Sequence, residues 1–291
     1  MILNCKNCGS DFNSERASRK YCSRECANEI NGKKRSEAEY SGTPTVVWSC
    51  GGGIQSVAIA ALIYSGTLPK PDIGFMTDCG YERLPTYTYM REVIIPKMKE
   101  IDVQFRMIQA SDYTEITFFD NKGFCKIPAF KKMSDGSVIK FRTRCNSTWK
   151  LDPAIRFMRE LGIEKCENWI GISTDESRRA RASTRKWITY KYPLIELGLS
   201  REHCIYEIAK VGWPLPVRSS CVFCPMQTKE SWQTMKDKYP EDWKKAVNVE
   251  KFIQARCPDV FLRKDCKPLS DTPYTLTTVI EGASSLSVSS S

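Results

Sequence analysis

The sequence predicts an α/β protein: a doubly wound parallel sheet, preceded by a small N-terminal zinc module and followed by a helical C-terminal extension. Three observations predict it. From residue 45 onward, short apolar runs alternate with stretches of helical periodicity, and that alternation lays parallel strands side by side with helices on both faces. Three consecutive glycines, in WSCGGGIQS (48–56), separate the first strand from the first helix. Two close cysteine pairs stand near the N-terminus, in a segment with few large apolar residues.

The elements follow in chain order. Cys5-x2-Cys8 and Cys22-x3-Cys26 are separated by thirteen residues, so four thiolates in two pairs can meet one Zn²⁺ tetrahedrally. A segment with so little core (1–31) draws its folding energy from that metal. YCSREC followed by ANEI places the second pair on the first turn of a helix, a treble-clef arrangement. Residues 32–44, GKKRSEAEYSGTP, are polar, glycine-bounded and proline-terminated, and read as a linker. TVVWS (45–49) is a strand and 55–65 a helix; DIGFM (72–76) is a strand and 84–100 a long helix; VQFRMI (103–108) is a third strand. Residues 110–143 read as irregular and basic, 147–161 as helix and NWIGI (168–172) as strand. The larger domain spans 45–212, a Cys-x-x-Cys-Pro segment with a helical extension spans 213–270, and the Ser/Thr-rich tail 271–291 is expected to be disordered.

Composition narrows the function classes. No 18-residue apolar run exists and the first fifteen residues lack a signal-peptide core, so a soluble, cytoplasmic protein without a membrane partner is expected. Fourteen cysteines in such a chain point to metal ligation in a reducing compartment. A single histidine argues against Ser-His-Asp or Cys-His catalysis. Residues 126–150 carry seven Lys or Arg against one Asp, and 178–191 carry six against no acid. These two stretches outweigh the net charge of +10, so the rest is about neutral. They are solvated faces or, in the reading preferred here, a surface for a polyanion such as tRNA or DNA.

Two constellations carry chemistry. Strand, glycine turn and helix is the geometry in which helix N-terminal N–H groups cradle phosphate oxygens. The stretch has neither the lysine of a Walker A loop nor GxGxxG spacing, and a tight turn without ligand is the plain alternative. Cys221-x2-Cys224 before Pro225, with Cys145 at the start of a helix, gives three thiolates that suit a [4Fe–4S] cluster with one open iron. A second zinc would draw a fourth ligand from Cys257, Cys266, Cys204 or His203, and a redox pair of Cys221 and Cys224 is the third option. Cys50, Cys79, Cys125 and Cys166 read as packing residues.

SCGGGIQS resembles the PP-loop of the ATP pyrophosphatase superfamily, in its phosphoadenylylsulfate (PAPS) reductase-like branch. Four further stretches are similar to that branch in order and spacing: FMTDCGYERLPTYTYM, CNSTWKLDPAIRFM, WIGISTDESRRAR and the block YPLIELGLSREHCIYEIAKVGWPLPVRSSCVFCP. Together they cover roughly residues 45–255. The N-terminal module resembles small zinc modules beside nucleic-acid-processing domains in phage-type proteins, which would place the chain in a host cytoplasm.

The resemblance implies the adenine nucleotide α-hydrolase (HUP-like) fold. It also implies ATP held by Ser49, Gly51, Gly52, Gly53, Gln55 and Ser56, with Mg²⁺ and Lys150, Arg179 and Arg181 on the phosphates. Asp78 and Glu176 are the acids implied for metal or ribose. The sequence departs from the pattern at Gln55, where the branch has Asp, and by an extra glycine before the usual pair. The implied activity is adenylyl transfer to a nucleic acid, with pyrophosphate release, for sulfur insertion, with a [4Fe–4S] cluster as in related thiolation enzymes and a sulfur-donor protein as a further partner. The alternatives are a sulfonucleotide reductase, although no Glu-Cys-Gly-His-type motif follows Cys266, and a non-catalytic nucleic-acid-binding protein with a degenerate nucleotide site.

Overall fold

The computed structural model describes residues 2–5, 8–14, 22–23, 25–26, 43–142 and 144–270. The chain divides into two compact units, Met1–Thr43 and Pro44–Ser291. Apart from Thr43 and Pro44, the expected linker lies outside the described residues, as does the expected disordered tail. No helix among the described residues is long and apolar enough to cross a membrane.

In the first unit, β1 (Ile2–Asn4) pairs antiparallel with β2 (Asp11–Asn13), Leu3 opposite Phe12. The turn between them is a knuckle. Cys5 N–H donates to Ser10 O and Gly9 N–H to Cys5 O, both at 2.9 Å. Gly9 takes φ +72°, which glycine accepts without a Cβ penalty.

The second unit is built on five parallel strands: β3 (Thr45–Ser49), β4 (Ile73–Asp78), β5 (Phe105–Gln109), β8 (Cys166–Ile170) and β9 (Ile188–Lys191), in the order β5-β4-β3-β8-β9. Both faces are covered. Trp48, Met76 and Trp169 pack against α1 (Ile54–Tyr64) and the helices after β4 and β9. Val47, Phe75 and Ile108 point the other way, onto Ala154, Phe157 and Met158 of α4 (Asp152–Glu160). Strands buried on both faces read as continuous apolar runs, which is why 45–49 and 73–78 stand out in the sequence. Because the chain runs outward from β3 to β5 and returns to β8 beside β3, the order reverses at the carboxyl ends of β3 and β8, where such folds open a crevice.

Several details differ from the sequence expectation. The expected helix over 84–100 is α2 (Leu84–Tyr89), a π turn (Met90–Ile94) and α3 (Ile95–Glu100) in direct succession. The expected helix over 147–161 likewise opens with a π turn, Ser147–Leu151, before α4. The stretch 110–143 is not wholly irregular. Its β6 (Phe130–Lys132) and β7 (Val138–Lys140) form a hairpin, to which β10 (Val260–Phe261) adds antiparallel. The sequence predicts no strand at β9, because four residues between basic flanks give a weak periodic signal. The C-terminal extension is helical as expected, with α7 (Lys229–Lys238) and α8 (Pro240–Arg256). Its core joins Trp232, Met235, Val249 and Ile253 to Phe118, Trp149 and Phe223.

Candidate functional site

A cavity of about 1190 Å³ opens at the carboxyl edge of β3 and β8. The glycine loop forms one wall: Ser49, Gly51, Gly53, Gln55 and Ser56 all line it. Gly53 begins α1 with no side-chain cap, so the first-turn N–H groups of this helix, which is buried from Ser56 to Ile63, face the crevice with no side chain competing for them. Ser49 Oγ donates to Asn168 Oδ1 at 2.8 Å, tying the two central strands together. Ser56 Oγ donates to Gly53 O at 2.9 Å and stabilises the turn. Gly52 is placed differently from the expectation. It is buried with φ +70°, and a Cβ there would lie 2.8 Å from Thr86 Cγ2. It serves the turn and the packing on α2, while Gly51 is the glycine with open space around it.

Cations reach the cavity from four distant segments: Lys150 from the second π turn, Arg179 from the 3₁₀ turn Thr174–Arg179, Arg201 from the start of α6 (Arg201–Lys210), and Arg218 just before the Cys-x-x-Cys. Lys150 Nζ is ion-paired with Glu82, whose side chain is fully buried. Burial pulls the Lys150 ammonium down, but the charges of Glu82, Cys221 and Cys79 more than offset it and hold the group protonated. Glu176 accepts from Arg179 Nη1 at 2.5 Å and from Gln55 Nε2 at 3.5 Å, and Arg201 Nη1 donates to Gln55 Oε1 at 3.3 Å. Gln55 therefore bridges an acid and a base, a role that an Asp there would replace with repulsion toward Glu176.

Not every expected residue reaches the cavity. Asp78 does not line it; its carboxylate accepts from Tyr87 Oη at 2.6 Å, Gly80 N–H at 2.7 Å and Gln109 Nε2 at 3.3 Å. Those bonds fix the end of β4 and leave little for a ligand. Arg181 is exposed and does not line the cavity either; its backbone is clamped by Tyr192 Oη. Asn168, Gly171, Arg201, Arg218 and Ser219 also line the cavity, although no sequence pattern marks them as site residues. Arg218 and Ser219 adjoin Cys221 in the VRSSC stretch, which was the available signal. Cys50 also lines the cavity, but burial pushes its thiol up to about 11, so it stays neutral.

None of the fourteen cysteines is in a disulfide, and two groups gather. Cys5, Cys8, Cys22 and Cys26 place their sulfurs all within 4.8 Å of one another, with Cys8–Cys22 at 3.6 Å and Cys22–Cys26 at 3.5 Å. Zn–S bonds near 2.3 Å set tetrahedral sulfurs about 3.8 Å apart, so the four fit one zinc ion. Cys8→Ser and Cys26→Ser should each release one equivalent of zinc by elemental analysis while binding of a nucleotide analogue survives. Full zinc retention in either variant contradicts the assignment.

The second group is Cys79, Glu82 and Cys221, again within 4.8 Å. Cys79, expected to be a packing residue, lies 3.5 Å from Cys221 sulfur to sulfur. Of the three cysteines read from sequence as a second centre, only Cys221 belongs to this group; the Cys145 thiol is raised by burial and then by the charge of Cys224. Cys257 acts electrostatically on Cys125, whose thiol burial pushes up to about 11. Cys204 is buried in the core beside α1, and His203 is taken up by the capping box of α6 with Ser200, which removes both as ligands for this centre.

Fold and cavity together define an α/β protein of the open parallel class, with its crevice at the point of strand reversal. Two solved structures are similar to it. One is a phosphoadenylyl-sulfate (PAPS) reductase from Candida auris in a phosphate complex, at 14% identity and TM-score 0.40, covering 67% of this chain and 89% of that one. The other is the U34-tRNA thiolase NcsA from Methanococcus maripaludis with its [4Fe-4S] cluster, at 14% identity and TM-score 0.41, covering 86% of this chain and 87% of that one. No family model matches the chain, and no curated protein sequence matches it. The chemistry therefore rests on this chain's own residues.

Proposed function

We propose that the second unit binds ATP and transfers its adenylyl group to an oxygen of a nucleic-acid substrate, preparing that position for sulfur. The observation that carries this reading is the convergence of an uncapped helix N-terminus and four cationic side chains on one cavity. Its volume suits a nucleotide with part of a second substrate. The substrate oxygen attacks the α-phosphorus, the bond to the bridging oxygen breaks, and the pair of electrons leaves on pyrophosphate. Lys150, Arg179, Arg201 and Arg218, which line the cavity, are the groups that would hold that developing charge. Mg²⁺, when bound, would add charge neutralisation, and Glu176 is the expected carboxylate that lines the cavity.

A polyanionic substrate is supported by where the basic stretches end. Lys150 closes the first and Arg179 belongs to the second, and both line the cavity. Lys132, Lys140, Arg142 and Arg144 of the first, and Arg178, Arg181 and Lys186 of the second, are exposed outside it. Pyrophosphate release from ATP should rise at least tenfold when tRNA or DNA is added, and the stimulation should fall with salt. Sulfite release from PAPS without pyrophosphate would instead favour a reductase.

A further inference from the structure

We propose that Cys79 and Cys221 are ligands of one metal ion, with Glu82 as the third, in a centre distinct from the N-terminal zinc module. The separation of 3.5 Å between the sulfurs is that of two thiolates on a single tetrahedral ion, about 3.8 Å. Ligands on different irons of a cubane stand roughly 6 Å apart, so this pair does not have the spacing of two corners of a [4Fe–4S] cluster. Glu82 Oε1 is 3.9 Å from Cys221 Sγ and is taken by Lys150. Glu82 Oε2 is buried with no partner at all, a cost the fold bears unless something binds that oxygen.

The backbone fixes two of the three donors against each other. Glu82 and Cys221 face each other across an antiparallel bridge. Val222 N–H donates to Tyr81 O at 2.7 Å on one side of it and Arg83 N–H to Ser220 O at 3.2 Å on the other. Cys221 starts a tight turn in which Cys224 N–H returns to its carbonyl at 3.0 Å, the knuckle form common at thiolate metal sites. Two thiolates and a carboxylate carry three negative charges. A divalent ion with the Lys150 ammonium brings three positive ones, so the buried set closes at neutrality. A neutral fourth ligand keeps that balance and completes the tetrahedron.

Cobalt(II) reports this directly, because sulfur-to-cobalt charge transfer in the near ultraviolet scales with the number of thiolates. The full chain, stripped and reloaded anaerobically with cobalt, should take up two equivalents. Cys79→Ser should hold one, with a matching loss of charge-transfer intensity, whereas Cys166→Ser, buried elsewhere in the sheet, should hold two. Glu82→Gln keeps the side-chain shape and should weaken the second equivalent at least tenfold; it is the deciding variant if Cys79→Ser fails to melt cooperatively. Two tight equivalents in a folded Cys79→Ser chain, or undiminished affinity in Glu82→Gln, would overturn the assignment. So would a second centre that depends on Cys145 and Cys224 but not on Cys79.

Discussion

Gly171→Ala is expected to lower stability by roughly 3 kcal/mol, at the upper end of overpacking penalties, and to weaken ATP binding at least tenfold. A Cβ on Gly171 would sit 2.7 Å from Ser56 N and 2.9 Å from both Gln55 C and Ser56 Cα. All three are backbone atoms of the first turn of α1, so no rotamer change relieves the contact. The strand end and the helix N-terminus must move apart, and those N–H groups are the ones proposed to hold phosphate. Gly51→Ala is the informative contrast. No atom lies within 4 Å of the position of its Cβ, so the fold should be unaffected, and any loss of affinity reports crowding of the ligand itself. Thermal melts with calorimetric titration of a non-hydrolysable ATP analogue separate the two effects. If Gly171→Ala keeps both its melting temperature and its affinity, the close seat of α1 on β8 does not shape the site.

The contrast between these glycines shows what the sequence could carry. The loop 50–56 is legible because strand, turn and helix are contiguous, and local pattern reports local geometry. Gly171 is not, because its neighbour is more than a hundred residues away in the chain. Arg201 and Arg218 fail to stand out for the same reason: each is one exposed arginine until the sheet order brings it to β3. Asp78 shows the opposite error. An acid at a strand end looks like a ligand, but three donors from Tyr87, Gly80 and Gln109 consume it. Cys79 read as packing because it stands alone in sequence, while its partner sulfur lies 142 positions downstream. The two-faced strands were legible through their unbroken apolar runs. The three-residue strands β6 and β7 were not, since β7 is exposed throughout and no alternation marks it.

Lys150→Met should separate structure from chemistry at the point where the cavity meets the second cysteine group. The ammonium neutralises Glu82, whose side chain has no exposure, while Lys150 itself keeps 35%. Removing one partner of a fully buried pair costs about 3–5 kcal/mol; with Lys150 partly solvated the lower figure, roughly 3, applies. Most of that loss comes from a carboxylate left buried without a counter-charge, so it should be recovered by adding Glu82→Gln. Urea unfolding of the second unit in metal-free buffer should place the double variant within about 1 kcal/mol of wild type, with strong coupling between the two substitutions. Catalysis should not follow. Pyrophosphate release needs a cation where charge develops, and losing one such preorganised group typically lowers kcat by about a hundredfold or more. Both Lys150→Met and the double variant should therefore remain that slow, although only the single variant is unstable. If the double variant recovers turnover together with stability, Lys150 is only the counter-ion of Glu82, and the phosphates are held by the arginines alone.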